Sequence, residues 1–294
     1  MSDDGRHGLT LIGFVGSVFS PYYAWARRRQ GGVADPLDHC ALNLALYGPA
    51  RGDGRWAMTE RRRASVQRDA TTLAIGPSRM RWDGDALVVD IDETCAPLPS
   101  RLRGQVRLHP HALAQRSFAL DAAGRHRWRP VAPSARVEVA FTHPGLRWQG
   151  GGYMDSNSGE RPLEADFERW TWSRSARGQG RCAVLYDVAR RDGSTALLAL
   201  DFDAQGRATG FDAPPTAVLP RSGWRMERST RCDTGAAPAL RRSFEDTPFY
   251  ARSLIETTLQ GERMAAVHEC LSLARLDTPW CRAMLPFRMP RALR

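Results

Sequence analysis

The densest concentration of unusual side chains runs from Trp148 through Gln149-Gly150-Gly151-Gly152-Tyr153-Met154-Asp155 to Gly159, and leads on to Trp170-Thr171-Trp172. In an extended segment Tyr153 and Asp155 share a face, because side chains alternate along a strand. An acid beside aromatic rings is what protonation of an alkene requires. An apolar pocket holds the carboxyl neutral, and the negative faces of the rings stabilise the cation that forms. Taken by its local pattern alone, Asp155 fits a turn or capping residue better than a catalytic one. His126-Arg127-Trp128 repeats the i, i+2 pairing of a polar group with a ring. A half-exposed histidine beside a hairpin at Ala123-Gly124 accounts for it equally well.

The other clusters assemble less. His39-Cys40, His109-Pro110-His111 and His268-Glu269-Cys270 miss the spacings that metal sites use, so no metal is expected. Asp90-Ile91-Asp92-Glu93 reads as a cation site or, as well, as carboxylates at a strand end. The triple glycine permits close backbone approach, but no helix follows to make it a phosphate loop. Nucleophile-elbow, zinc-protease and dinucleotide fingerprints are absent.

The elements that must position these groups read as strands. Residues 42–47, 73–75, 86–91, 105–108, 137–141, 183–186 and 196–202 are apolar or alternating stretches of strand length, punctuated by Gly, Pro and Asp. Trp82-Asp83-Gly84-Asp85 and Arg191-Asp192-Gly193 look like hairpin turns, since Asp-Gly supplies the positive φ such turns need. Residues 251–273 are expected to form a hairpin about Gln260-Gly261-Glu262. Residues 9–19 are read as a buried strand. Thr278-Pro279 opens a short helix to about Leu285. A faint repeat relates the segment from Phe19 to Trp25, with Cys40-Ala41-Leu42, to the segment from Phe167 to Trp172, with Cys182-Ala183-Val184. Two copies of one β unit then meet near Thr142-His143-Pro144-Gly145, giving units of 1–145 and 146–294. The expected class is all-β, with two antiparallel barrels or sandwiches.

Composition narrows the chemistry. The 294 residues are 42% apolar and 25% charged, enough to fold around a sizeable core. All 42 basic side chains are arginine. Without lysine, a Walker phosphate loop, a protein kinase and a pyridoxal Schiff-base enzyme are all excluded. The net charge of +10 points first to a solvated surface and next to anionic lipid headgroups. Nucleic acid is not expected, because no recognition motif accompanies the short runs Arg27-Arg28-Arg29 and Arg61-Arg62-Arg63. The six cysteines are scattered and read as reduced structural thiols. No stretch is long enough to cross a bilayer as a helix, so a membrane would be met from one side.

Several segments together resemble the carotenoid 1,2-hydratases (hydroxyneurosporene synthases) of phototrophic bacteria. They are Gly16-Ser17-Val18-Phe19-Ser20-Pro21, Asp38-His39-Cys40-Ala41-Leu42-Asn43, Gly76-Pro77-Ser78-Arg79-Met80-Arg81-Trp82, Trp148-Gln149-Gly150, Gly152-Tyr153-Met154-Asp155, Leu163-Glu164-Ala165-Asp166-Phe167, Trp170-Thr171-Trp172 and Met284-Leu285-Pro286-Phe287-Arg288-Met289-Pro290. The family is similar to tocopherol cyclase-like proteins of two lipocalin-like barrels, which implies that fold here with a short C-terminal helix.

The resemblance implies hydration of the terminal C1=C2 bond of acyclic carotenoids such as neurosporene and lycopene, without a cofactor. It implies Asp155 as the acid, with His126, Trp128 and Tyr153 beside it in catalytic roles. Trp128 and Tyr153 would lie against the cation, and His126 would orient Asp155 or take the proton from water. Trp148, Trp170 and Trp172 are expected to bind substrate. The expected partners are carotenoid, water and the membrane surface, at the cytoplasmic face of an intracytoplasmic membrane. The chain opens close to the first matching block, so an N-terminal extension ahead of it is also expected. An isoprenoid carrier without chemistry and a cyclase-like relative, in which an internal nucleophile replaces water, are the alternatives on this fold.

Overall fold

The computed structural model describes residues 1–50 and 52–292, and antiparallel strands dominate it. The chain divides into two compact units, each assembled from separate stretches. The first comprises Met1–Pro110, Arg136–Gly152 and the chain from Arg282; the second comprises His111–Ala135 and Tyr153–Cys281. The expected cut at 145 falls instead in the turn between two long strands, β10 (His126–His143) and β11 (Leu146–Gly159). Each of these strands contributes one part to the first unit and the other to the second. The units are therefore interleaved along the chain and not tandem, which a composition break cannot reveal.

In the first unit, β1 (Gly8–Phe14), β2 (Cys40–Tyr47) and β3 (Arg55–Arg61) form a three-stranded sheet. The residues of β2 are all buried, as its apolar run, broken only by Asn43, implies. The expected buried strand over 9–19 is shorter and more open. It ends at Phe14, is mostly half-buried, and gives way to Gly16 at φ 71°, a left-handed turn that suits glycine. Helix α1 (Pro21–Arg29) follows, capped by Ser20, whose hydroxyl accepts from the Tyr23 amide at 2.9 Å. The two halves of the faint repeat thus differ: Phe19 to Trp25 form a turn and helix, whereas Phe167 to Trp172 form a strand. Then β4 (Val66–Arg68), β5 (Thr72–Ile75), β6 (Ser78–Asp83), β7 (Ala86–Thr94) and β8 (Arg101–Pro110) run as a meander. The sheet continues through β10 to β11.

The second unit holds β9 (Phe118–Ala119), β12 (Phe167–Ala176), β13 (Cys182–Arg190), β14 (Thr195–Phe202), β15 (Ala208–Gly210), β16 (Thr216–Leu219), β17 (Arg228–Arg231), β18 (Ala239–Asp246), β19 (Tyr250–Leu259) and β20 (Glu262–Ser272). Seven of them form one antiparallel sheet in the order β15-β14-β13-β12-β20-β19-β18. The β19–β20 turn lies at Gln260 (φ 55°) and Gly261 (φ 79°), as the sequence predicts. Three short helices, α2 (Leu163–Asp166), α3 (Leu273–Leu276) and α4 (Pro279–Arg288), follow α1 along the chain, and α4 belongs to the first unit from Arg282; it extends one turn past its expected end. The architecture is of the expected all-β, lipocalin-like class.

Alternation along these strands sets up the site. On β10, His126 and Trp128 are buried while Arg127 and Arg129 are exposed. On β12, Trp172 lies directly opposite Tyr186 of β13 and Glu269 of β20, so all three share one face of the sheet. The other face carries Ala183, Leu185, Ala199, Leu259 and Met264 as an apolar cluster.

The path of β10 depends on one close approach. A Cβ at Gly104 of β8 would lie 2.4 Å from the Ala140 carbonyl oxygen and 2.6 Å from Phe141 Cα. Backbone cannot yield as a side chain can, so Gly104→Ala is expected to cost about 1–3 kcal/mol. Urea unfolding will measure it; unchanged stability would mean that β8 and β10 separate without cost.

Candidate active site

The second unit gathers Asp155, Tyr153, Trp128, His126, Trp170 and Trp172. The acid is held by two donors. Trp128 Nε1 donates to Asp155 Oδ2 at 2.8 Å, and the Tyr153 hydroxyl donates to the same oxygen at 3.1 Å. Asp155 Oδ1 has no hydrogen-bond partner among the described residues and is not sealed from solvent. A protonated Asp155 therefore carries its hydrogen on Oδ1, since Oδ2 is committed as an acceptor.

Burial pushes the Asp155 carboxyl up from 3.8 to about 6, and the charge of Glu269 pushes the same way. The two donors and Arg252 pull against that shift without cancelling it. Residue Asp155 keeps part of its surface, but the atoms around its carboxyl are protein, and desolvation dominates. Tyr153 is pushed well above 10 by its own burial and by Asp155, so its hydroxyl remains a donor. Glu269 is tied to Arg252 at 2.7 Å, and Arg252 also reaches Glu245 at 3.2 Å.

His126 does not orient the acid. Its ring is 1% exposed, and its Nε2 faces Asp166 Oδ2 at 2.7 Å. The other oxygen of Asp166 meets Arg161 at 3.3 Å. In the tautomer with its hydrogen on Nε2 the ring donates to Asp166, which leaves Nδ1 as an acceptor. That Nδ1 is buried without a partner, 2.7 Å from where a Cβ would stand at Gly159. Asp166 lies in the family-like segment Leu163-Glu164-Ala165-Asp166-Phe167. Its only signal was an acid beside Phe167, whose ring packs on His126 at 4.6 Å.

The rings pack in two groups, which the hydrogen bonds of Trp128 and Tyr153 to Asp155 bring together. Trp128 meets Phe118 at 5.6 Å and Tyr186 at 5.7 Å; Tyr186 meets Trp170 at 6.1 Å; Tyr153 meets Trp172 at 5.2 Å. Trp128 is 0% exposed, so it cannot present a face to a substrate; its N–H positions Asp155 instead. Tyr153 and Trp170 retain open surface, while Trp172 is buried against Tyr153. Trp148 belongs to the first unit, among Gln105, Arg107, Glu138 and Val139 around a surface hollow, and not to the set around Asp155. The sequence carries no site signal for Tyr186 and, for Glu269, only the His268-Glu269-Cys270 cluster; sheet register alone places both opposite Trp172.

The His268–Cys270 cluster is quiet. Burial lowers His268 to about 4 and raises Cys270 to about 12, leaving a neutral ring that meets the Ser229 carbonyl and an inert thiol. All six cysteines are outside any disulfide and buried. Among the described residues no group of three His, Cys, Asp or Glu side chains could hold a metal ion.

The chain is similar to proteins of known name over nearly its whole length. The family model described as "Carotenoid hydratase CrtC" matches residues 11–294. An acyclic carotenoid 1,2-hydratase of Thiocapsa roseopersicina is 54% identical over 99% of this chain and 71% of its own. Its counterparts in Rubrivivax gelatinosus and Cereibacter sphaeroides are 47% and 45% identical, covering 99% and 96% of this chain and 71% and 98% of theirs. A crystal structure of an AttH-type protein from Nitrosomonas europaea shares the fold, with a TM-score of 0.57 at 14% identity, over 92% of this chain and 88% of that one.

The elevated Asp155 makes stability depend on pH in a definite sense. Between about 4 and 6 the folded chain holds a proton that the unfolded chain has released, so this group's contribution falls as pH rises through that window. In Asp155→Asn the amide oxygen still accepts from Trp128 and Tyr153, and no charge forms. Urea unfolding at pH 4.5 and 7.5 is expected to show wild type losing stability relative to the variant. Parallel pH dependences would contradict the assigned desolvation.

Proposed function

This chain belongs to the carotenoid hydratase family and is a hydro-lyase; from that premise we propose that it adds water across the terminal C1=C2 bond of acyclic carotenoids such as neurosporene and lycopene, with Asp155 as the acid. The observation that carries the assignment is a carboxyl near neutrality whose Oδ2 is pinned by two donors and whose Oδ1 is free. Asp155 Oδ1–H gives its proton to C2, and the positive charge develops at C1, a tertiary centre. Water attacks C1 to form the C–O bond, and the oxonium then loses a proton. We assign Nδ1 as its acceptor, with Asp166 holding Nε2–H; Nδ1 is covered beside Gly159, so that segment moves aside for water to reach it, and exchange with solvent then reprotonates Asp155.

Apolar substrate displaces water from the site, which favours the neutral acid further. The ring faces of Tyr153 and Trp170 and the Asp155 carboxylate formed by proton transfer are the groups on this chain suited to stabilising the cation. Trp128 acts through the acid that it positions. Trp170 extends the aromatic surface along which a polyene lies, and Trp172 backs the Tyr153 ring. The substrate is a hydrocarbon, and the enzyme meets it at a membrane surface.

Purified protein incubated with detergent-dispersed lycopene is expected to yield a product heavier by one water, with solvent oxygen incorporated. Unchanged carotenoid would favour a carrier, and a product without solvent oxygen would favour a cyclase-like reaction. Asp155→Asn should lower kcat at least about a thousandfold and Asp166→Asn roughly a hundredfold, within the range of general acid–base contributions. Full turnover in Asp155→Asn would remove the acid from the mechanism. For wild type, kcat/KM is expected to fall as pH rises above about 6, because the proton is lost there.

A further inference from the structure

The first unit displays a basic, aromatic surface that the chemistry at Asp155 leaves unused. From Gly5 to Ala34 the chain carries no acidic residue, while Arg6, Arg27, Arg28 and Arg29 are all basic. Helix α1 lies in this stretch and has no buried residue. Its inner side is set by Tyr23, which packs on the His39 ring at 4.8 Å and closely faces Gly16. Its outer side presents Trp25, Arg28 and Arg29, which share one face by their i, i+3, i+4 spacing.

Trp25 is 55% exposed, and Val33 beyond the helix end is 75% exposed. The Arg29 guanidinium lies over the Trp25 ring at 4.7 Å. Arg28 and Arg29 have no carboxylate partner among the described residues. The second arginine run behaves differently: Arg61 is bound to Glu93 at 3.1 Å and Arg63 to Asp35 at 2.6 Å. The positive charge of Arg28 and Arg29 is thus left for something outside the chain.

The helix is also pre-formed. Ser20 caps its start, and Gly31 and Gly32 turn its end at φ 68° and 99°, with the Gly32 amide donating to the Arg27 carbonyl at 2.7 Å. A surface that is already folded loses little entropy on docking. Tryptophan at headgroup depth, arginine beside it and a small apolar residue projecting beyond match an anionic lipid interface.

We propose that α1 and the following Gln30–Val33 segment dock this enzyme onto an anionic bilayer, with Trp25 and Val33 entering the interface and Arg28 and Arg29 meeting lipid phosphates. The proposal rests on the carotenoid-hydratase reading only for the reason to be there, a hydrocarbon substrate; the binding itself is tested separately.

Sedimentation with mixed phosphatidylglycerol–phosphatidylcholine vesicles, and with phosphatidylcholine alone, reads the binding directly. Wild type is expected to partition onto the anionic vesicles and to release with salt. Arg28→Gln with Arg29→Gln should weaken partitioning about twentyfold or more at low salt, at roughly fivefold for each arginine near a charged surface. Trp25→Ala should weaken it several-fold with a smaller salt effect. Hydration of detergent-dispersed lycopene should be unchanged in these variants, while hydration of vesicle-embedded lycopene falls with binding. Equal partitioning of wild type and the double variant, or wild-type binding to DNA in preference to vesicles, would overturn the proposal. Loss of hydration from wild type in both formats would instead count against the function, and leave the sedimentation result to stand.

Discussion

A carboxyl group taken out of water yet held by two hydrogen-bond donors is the constraint around which the second unit is arranged. Donation from Trp128 and Tyr153 to one oxygen favours the carboxylate, and would leave a weak acid permanently ionised if it acted alone. Desolvation opposes it and wins, lifting Asp155 to about 6. The balance yields a group that ionises and reprotonates near neutrality while remaining fixed in direction. Neither force by itself produces that. A fully buried acid without donors would lack orientation, and a hydrogen-bonded acid in water would lack the proton.

The scaffold follows from this demand. Two strands bring the donors in: β10 supplies Trp128, and β11 supplies Tyr153 with Asp155 on the same face. The sheet that faces them contributes Tyr186 against Trp128 and Trp172 against Tyr153, so the donor rings are wedged by other rings. Such contacts limit rotation of the donors, and through them of the acid. The same sheet places Glu269 where its charge adds to the elevation and Arg252 where it subtracts. On the opposite face, His268 and Cys270 are driven by burial into their neutral forms and left there. Burial alone makes a titratable group inert; burial with a positioned donor and a neighbouring charge makes it useful.

Two pairs of a carboxylate with a ring nitrogen occur in this unit, and they differ in sense. In Trp128–Asp155 the ring only donates, and the acid is the group that changes protonation. In His126–Asp166 the arginine-supported carboxylate holds one ring nitrogen and leaves the other as an acceptor. An acid that gives a proton and a base that takes one back are what addition of water requires. Under the proposed hydration Asp155 gives the proton and His126 takes one back, and these groups stand on β10, on β11 and beside the short α2 that ends at Asp166.

Much of this was legible in the chain itself. The absence of lysine removed whole classes of chemistry, the alternation and Asp-Gly turns indicated an all-β fold, and the i, i+2 spacing put Tyr153 with Asp155 and His126 with Trp128. Those are local properties, carried by covalent geometry and side-chain period. What the tertiary structure alone decided is partnership. It bonded Trp128 to Asp155, 27 residues away, and turned His126 to Asp166, 40 residues away. It moved Trp148 to the other unit and interleaved two units that a linear reading placed in tandem. Sequence spacing determines which face a side chain occupies, but sheet register and chain crossing determine what stands opposite it. A proton affinity depends on the second.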